Sequence, residues 1–274
     1  MSHIRLTENG AQDRLLMLPR FSHISTEIEA TGGIFRTATV QEFEAEFGEI
    51  DFSIRPVELF SILPDRDELK YDDTKWTAFI LSDDKIPKQC YKALIDLLTG
   101  DWKYELAWRE YSENISKKGK TKQPRMRRTK LTATLLSKFN QGSMLLNRER
   151  KFRIALLRWS GCFTRADPLD SVLDCCSCLE ASFQMGDELR LRTSLAVYYS
   201  LSVGRKEAFS TVYELYGIRN KFIHGANIPE VSPSQRRRYV ELVASLLLQF
   251  VKMGKIPDSS TINKQILEQF GASE

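Results

Sequence analysis

The sequence predicts a mainly α-helical C-terminal half, folded as a helical bundle, behind a smaller N-terminal domain of mixed α and β structure. Three observations lead there. From about residue 145 onward apolar residues recur at helical spacing almost without interruption. Gly, Pro and Asp stand at the ends of those periodic segments, where helices start and stop. The first 115 residues instead carry short runs of β-branched and aromatic residues, which suit strands.

Residues 33–40 and 74–81 read as strands, and residues 86–102 read as a helix. Residues 1–116 therefore make the N-terminal domain. Residues 117–130 hold Lys117, Lys118, Lys120, Lys122, Arg125, Arg127, Arg128 and Lys130 with no acid, and Gly119 and Pro124 mark the segment as a basic linker or loop. Residues 145–274 make the bundle. Its first helix spans 148–166, with Ile154, Leu157 and Cys162 among its apolar positions, and Asp167-Pro168 ends it while capping the next. The second runs to about Gln184 behind a stripe of Val172, Cys176, Leu179 and Phe183. Asp187 caps the third, which reaches Ser202 and carries Leu191, Leu195 and Tyr199. Gly204 separates it from the fourth, 206–224, which buries Phe209, Val212, Leu215 and Tyr216. Ser232-Pro233 starts a fifth that ends at Gly254, and a sixth covers 260–270. Short connections between helices of this length predict an antiparallel bundle.

No apolar run approaches the ~20 residues needed to cross a bilayer, and the N-terminus lacks the basic-then-apolar layout of a signal peptide. A cytoplasmic protein is expected. Five cysteines, four of them within residues 162–178, argue against a secreted disulfide framework. Cys175, Cys176 and Cys178 lack zinc-knuckle spacing and a nearby histidine, so they read as core residues, and neither metal nor cofactor is expected.

The chemistry concentrates in Gly217-Ile218-Arg219-Asn220-Lys221-Phe222-Ile223-His224-Gly225, at the end of the fourth helix. Arg219 offers a permanently charged planar donor for phosphate oxygens. His224, one of three histidines, is the side-chain type that moves a proton near neutral pH. Asn220 shares a helix face with His224 and can orient the imidazole or hold a phosphate oxygen. Arg219 and His224 lie about 140° apart around a helix, so the pair diverges within one chain.

With this motif in place, residues 145–255 resemble the HEPN superfamily, and within it the Apea-like branch. Its signature is Arg, a polar residue, three further residues and His near the end of a bundle helix, matched here by Arg219, Asn220 and His224. The stretch from Arg153 to Trp159, the Leu179-Glu180 pair and Glu188-Leu189-Arg190-Leu191-Arg192 follow the order and spacing of that branch. The resemblance implies a homodimer whose motif helices meet across the interface and form a metal-independent endoribonuclease of toxin or antiviral-defence type. An antitoxin or a trigger molecule sensed by the N-terminal half would then be a partner. The alternative is a non-catalytic RNA- or nucleotide-binding or dimerisation module on the same bundle.

RNA supplies its own nucleophile, the 2′-hydroxyl. His224 would move protons, Arg219 would stabilise the phosphorane and Asn220 would fix the geometry. Lys221 would add a phosphate contact. The basic run 117–130 is either solvated linker or RNA contact. Arg236, Arg237 and Arg238 begin a helix whose dipole they fail to complement, so they either serve a ligand, as RNA contacts at Arg236 and Arg237, or cost the helix a little. Glu180 and Arg192 are expected to pair between adjacent helices, or to support Arg219 from behind. Trp76, Trp102, Trp108 and Trp159 read as core or domain-interface anchors.

Overall fold

In the computed structural model, strands β1 (Leu15–Leu18), β2 (Ile28–Ala30), β3 (Gly33–Thr37) and β4 (Thr77–Leu81) form one antiparallel sheet in the order β1-β4-β3-β2. The structure describes residues 14–18, 26–39, 42, 77–82, 85–107, 111, 129–184, 189–225 and 230–270. They fall into two units, Met1–Ser143 and Met144–Glu274.

The first unit is organised by aromatic residues. Phe35 of β3 stands opposite Phe79 of β4, so both side chains share one sheet face, with ring centroids 4.6 Å apart. Tyr91 of helix α1 (Lys88–Thr99) and Phe139 of α2 (Ala133–Arg148) close the cluster, 5.4 and 5.1 Å from Phe79. Gly32 turns the chain between β2 and β3 at φ 92°, and a Cβ there would lie 2.3 Å from the Tyr91 hydroxyl oxygen. Glycine is required on both counts. Asn140 of α2 accepts a hydrogen bond from the Thr31 amide at 2.8 Å. These contacts explain why the division between units falls within α2 and not at the basic stretch, so the first unit extends well beyond residue 116. The start of α2 was invisible in sequence because Lys138, Asn140 and Gln141 interrupt its apolar pattern.

The second unit contains α3 (Arg150–Thr164), α4 (Pro168–Phe183), α5 (Leu189–Ser200), α6 (Arg205–Ile223), α7 (Pro233–Met253) and α8 (Ser259–Phe270). The expected start signals at Asp167 and Ser232 operate, while Asp187 lies outside the described residues. Asp167 accepts from the Leu169 amide with Pro168 at the first helical position, and Ser232 with Gln235 forms a capping box ahead of Pro233. Helix α3 packs on α4 and α5 on α6, while α7 touches all four. Phe152, Trp159, Leu179, Phe183, Leu215, Tyr239 and Phe250 fill the centre. Trp159 also donates to the Val240 carbonyl at 3.4 Å. Trp102 is buried in the first unit, whereas Trp76 and Trp108 lie outside the described residues.

Helix α5 departs from expectation. Leu191 is 44% exposed, and the buried face consists of Thr193, Ser194, Ala196, Val197 and Ser200. That face lies about half a turn from the Leu191, Leu195, Tyr199 stripe. Small residues line the buried side, α5 packs against α6, and hydrophobicity alone points to the larger residues instead. Among the described residues no helix is long and apolar enough to cross a membrane.

Candidate functional site

Helix α6 places the motif. It starts after Gly204, in the left-handed conformation at φ 68°, and ends with His224 as the capping residue. The His224 amide donates to the Asn220 carbonyl at 3.0 Å, and Gly225, at φ 64°, carries the chain away. The imidazole is exposed and makes no hydrogen bond or ion pair with the described residues. Lys221 is likewise exposed and unpaired among them.

Arg219 behaves differently. Its Nε lies 3.1 Å from Oε1 of Glu180 on α4, with the two side chains 20% and 31% exposed. Its Nη1 reaches Asn220 Oδ1 at 3.5 Å, and its guanidinium carbon sits 5.7 Å from the Tyr216 ring centroid, one turn back on α6. The guanidinium is therefore braced by a carboxylate, an amide and a ring. Of the two roles expected for Glu180, the structure shows the support of Arg219, with which it forms an ion pair between α4 and α6. One expectation changes. Asn220 directs its amide oxygen to Arg219, not to the His224 ring, because the helix ends at His224 and releases that side chain to solvent.

Behind Arg219 lies a buried polar group that sequence reading did not identify. The Tyr216 hydroxyl, the Thr193 hydroxyl and Glu180 Oε1 are buried and have no aligned hydrogen-bond partner among the described residues. The Glu180 oxygen is close to Arg219 Nε without lying along its N–H direction. Burial pushes the Tyr216 phenol well up, with Cys176 and Glu180 adding to it and Thr193 and Arg219 opposing. Tyr216 was legible only as a core position. Its spacing of three from Arg219, one helical turn, was the available signal.

The arginines of α7 have separate fates. Arg236 is 5% exposed, and its Nη2 donates to the carbonyls of Cys162 at 3.2 Å and Arg165 at 2.6 Å. Those oxygens belong to the C-terminal end of α3, where a cation satisfies orphan carbonyls and complements the dipole. Arg236 is thus a structural cap, which corrects its expected role as an RNA contact. Arg238 pairs with Glu214, which also accepts from Tyr239 at 2.7 Å and Gln235 at 3.0 Å. Burial works to raise the Glu214 carboxyl, but those hydrogen bonds and the Arg238 charge outweigh it and hold it below the usual carboxylate value. Arg237 remains exposed on the same turn.

Lys117, Lys118, Lys120, Lys122, Arg125, Arg127 and Arg128 lie outside the described residues. Cys162, Cys175, Cys176 and Cys178 are buried as free thiols, and burial pushes those of Cys162, Cys176 and Cys178 well up, which suits core residues. Among the described residues no group of three or more His, Cys, Asp or Glu is placed to hold a metal ion. Comparison with protein-family models, with curated proteins and with solved structures gives no match to this chain.

Proposed function

We propose that the second unit is a HEPN-like endoribonuclease module, working as a homodimer in the cytoplasm, and that it cuts RNA without a metal cofactor. The observation that carries this reading is the division of labour at the end of α6. Arg219 is a guanidinium held in place by Glu180 and Asn220, while His224, five residues on, is an accessible imidazole with no competing partner among the described residues. A fixed cation and an available proton carrier are what transesterification needs. The 2′-oxygen attacks phosphorus as its proton passes to a base. The bond from phosphorus to the 5′-oxygen then breaks as that oxygen takes a proton. His224 performs one or both transfers, Arg219 stabilises the phosphorane, and Asn220 keeps the guanidinium oriented.

The two side chains diverge on one helix, so a second copy supplies the complementary residue. Phe222 and Ile223, 40% and 54% exposed beside the motif, provide apolar surface for that contact. Toxin or defence activity, gated by a trigger or an antitoxin through the N-terminal unit, follows from the same reading. A second reading, a non-catalytic RNA-binding or dimerisation module, draws on the engagement of Arg219 with Glu180, which partly neutralises it. Product chemistry separates the two. The enzyme reading expects 2′,3′-cyclic phosphate and 5′-hydroxyl ends with chelator present, and 5′-phosphate ends formed only with Mg²⁺ would overturn it.

A further inference from the structure

We propose that Arg190 and Tyr213 form a stacking subsite for a base of single-stranded RNA, on the face of α6 that leads to His224. The proposal rests on the ribonuclease reading of that helix end. Tyr213 is 41% exposed, and the Arg190 guanidinium carbon lies 3.5 Å from its ring centroid. Arg190 Nε donates to the Tyr213 carbonyl at 2.8 Å, which holds the guanidinium over the ring. Phe209, one turn earlier, lies parallel to Tyr213 within 12° at 6.0 Å. The result is a rigid, layered platform at the surface.

Gly217 belongs to the same device. Glycine inside a helix is unfavourable relative to alanine, yet a Cβ at 217 would sit 3.2 Å from Arg190 Nη2. Its absence leaves room for the guanidinium. Tyr213, Gly217 and Lys221 follow one another at four-residue spacing, and His224 comes three residues later, so all four share a helix face. Along the axis Tyr213 and His224 are about 16 Å apart, a reach of a few nucleotides.

Neither the two Nη groups of Arg190 nor the Lys221 ammonium has an acidic partner among the described residues. The stripe therefore joins available cations to a planar stacking surface, the combination that tracks a phosphate backbone while holding bases by their faces. Phe222 lies about half a turn from Tyr213, so apolar contact between copies through Phe222 and RNA contact through Tyr213 use different sides of α6.

The test uses the full chain and begins with RNA cleavage by the unaltered protein, which addresses the ribonuclease reading independently. Binding is then measured on the His224→Ala background with short single-stranded RNAs, each carrying one abasic position. Removing the base at one position is expected to weaken binding about tenfold. In Tyr213→Leu that same removal is expected to cost little, because the ring that holds the guanidinium in place as a stacking surface is gone. Arg190→Lys, which keeps charge but loses the planar surface, gives the same result and serves if Tyr213→Leu fails a thermal-unfolding check. Equal abasic penalties in the parent and both variants overturn the subsite while cleavage leaves the ribonuclease reading standing. A dimer that falls to monomer in Tyr213→Leu also overturns it, by assigning this face to a second copy. A chain that neither cuts nor binds RNA removes both.

Discussion

Replacing Arg236 decides between a ligand contact and a structural cap. Its buried guanidinium donates to the Cys162 and Arg165 carbonyls, and hydrogen bonds from a charged donor contribute about 1.5–3 kcal/mol each. Losing both in Arg236→Ala, with partial replacement by water, is expected to cost about 3 kcal/mol. In a unit of this size each kcal/mol lowers Tm by about 4 °C, so a drop of roughly 12 °C is expected. Arg237→Ala, at an exposed position on the same turn, should stay within about 0.5 kcal/mol of the parent. Thermal unfolding of the two variants, paired with RNA affinity at a temperature where both are folded, gives the comparison. Unchanged Tm with weakened RNA binding in Arg236→Ala would refute the capping role and restore the residue to the RNA surface.

Glu180→Gln keeps the shape of the side chain but removes the charge beside Arg219. The pair is partly exposed, so stability should fall by about 1 kcal/mol or less, whereas RNA cleavage should fall at least tenfold, and wild-type cleavage would show that Arg219 needs no brace. Neutralising Lys117, Lys118, Lys120 and Lys122 together should flatten the salt dependence of RNA binding and leave single-turnover cleavage nearly intact, since phosphate contacts position without cutting. An unchanged salt slope would make the segment a plain linker.

The bundle was legible because its punctuation is local. Asp167-Pro168, Gly204, Ser232-Pro233 and Gly254 set helix ends through backbone chemistry that needs no tertiary partner, and the structure places those ends within two residues of where the sequence does. Strands β1 and β2 were not legible, since three or four residues carry too little periodicity, and α2 was missed because its buried positions depend on Phe35, Phe79 and Leu94 far away in sequence. At the site, Arg219, Asn220 and His224 could be singled out by residue type. Glu180 could be named as a support for Arg219 only as one of two alternatives. Which of them holds, and that Arg236 meets the Cys162 carbonyl, is settled by which helix packs where.

His224 is proposed to move protons in RNA cleavage at a site completed by a second copy. The direct measurement is the single-turnover cleavage rate of His224→Ala beside its thermal unfolding curve, with an equal mixture of His224→Ala and Arg219→Ala chains assayed in parallel. The expected result is an unchanged unfolding curve for His224→Ala, a loss of about 10²–10⁴-fold in rate for each variant alone, and partial recovery in the mixture, where intact residues from two chains meet. A folded His224→Ala protein that still cuts RNA at the parent rate would contradict it.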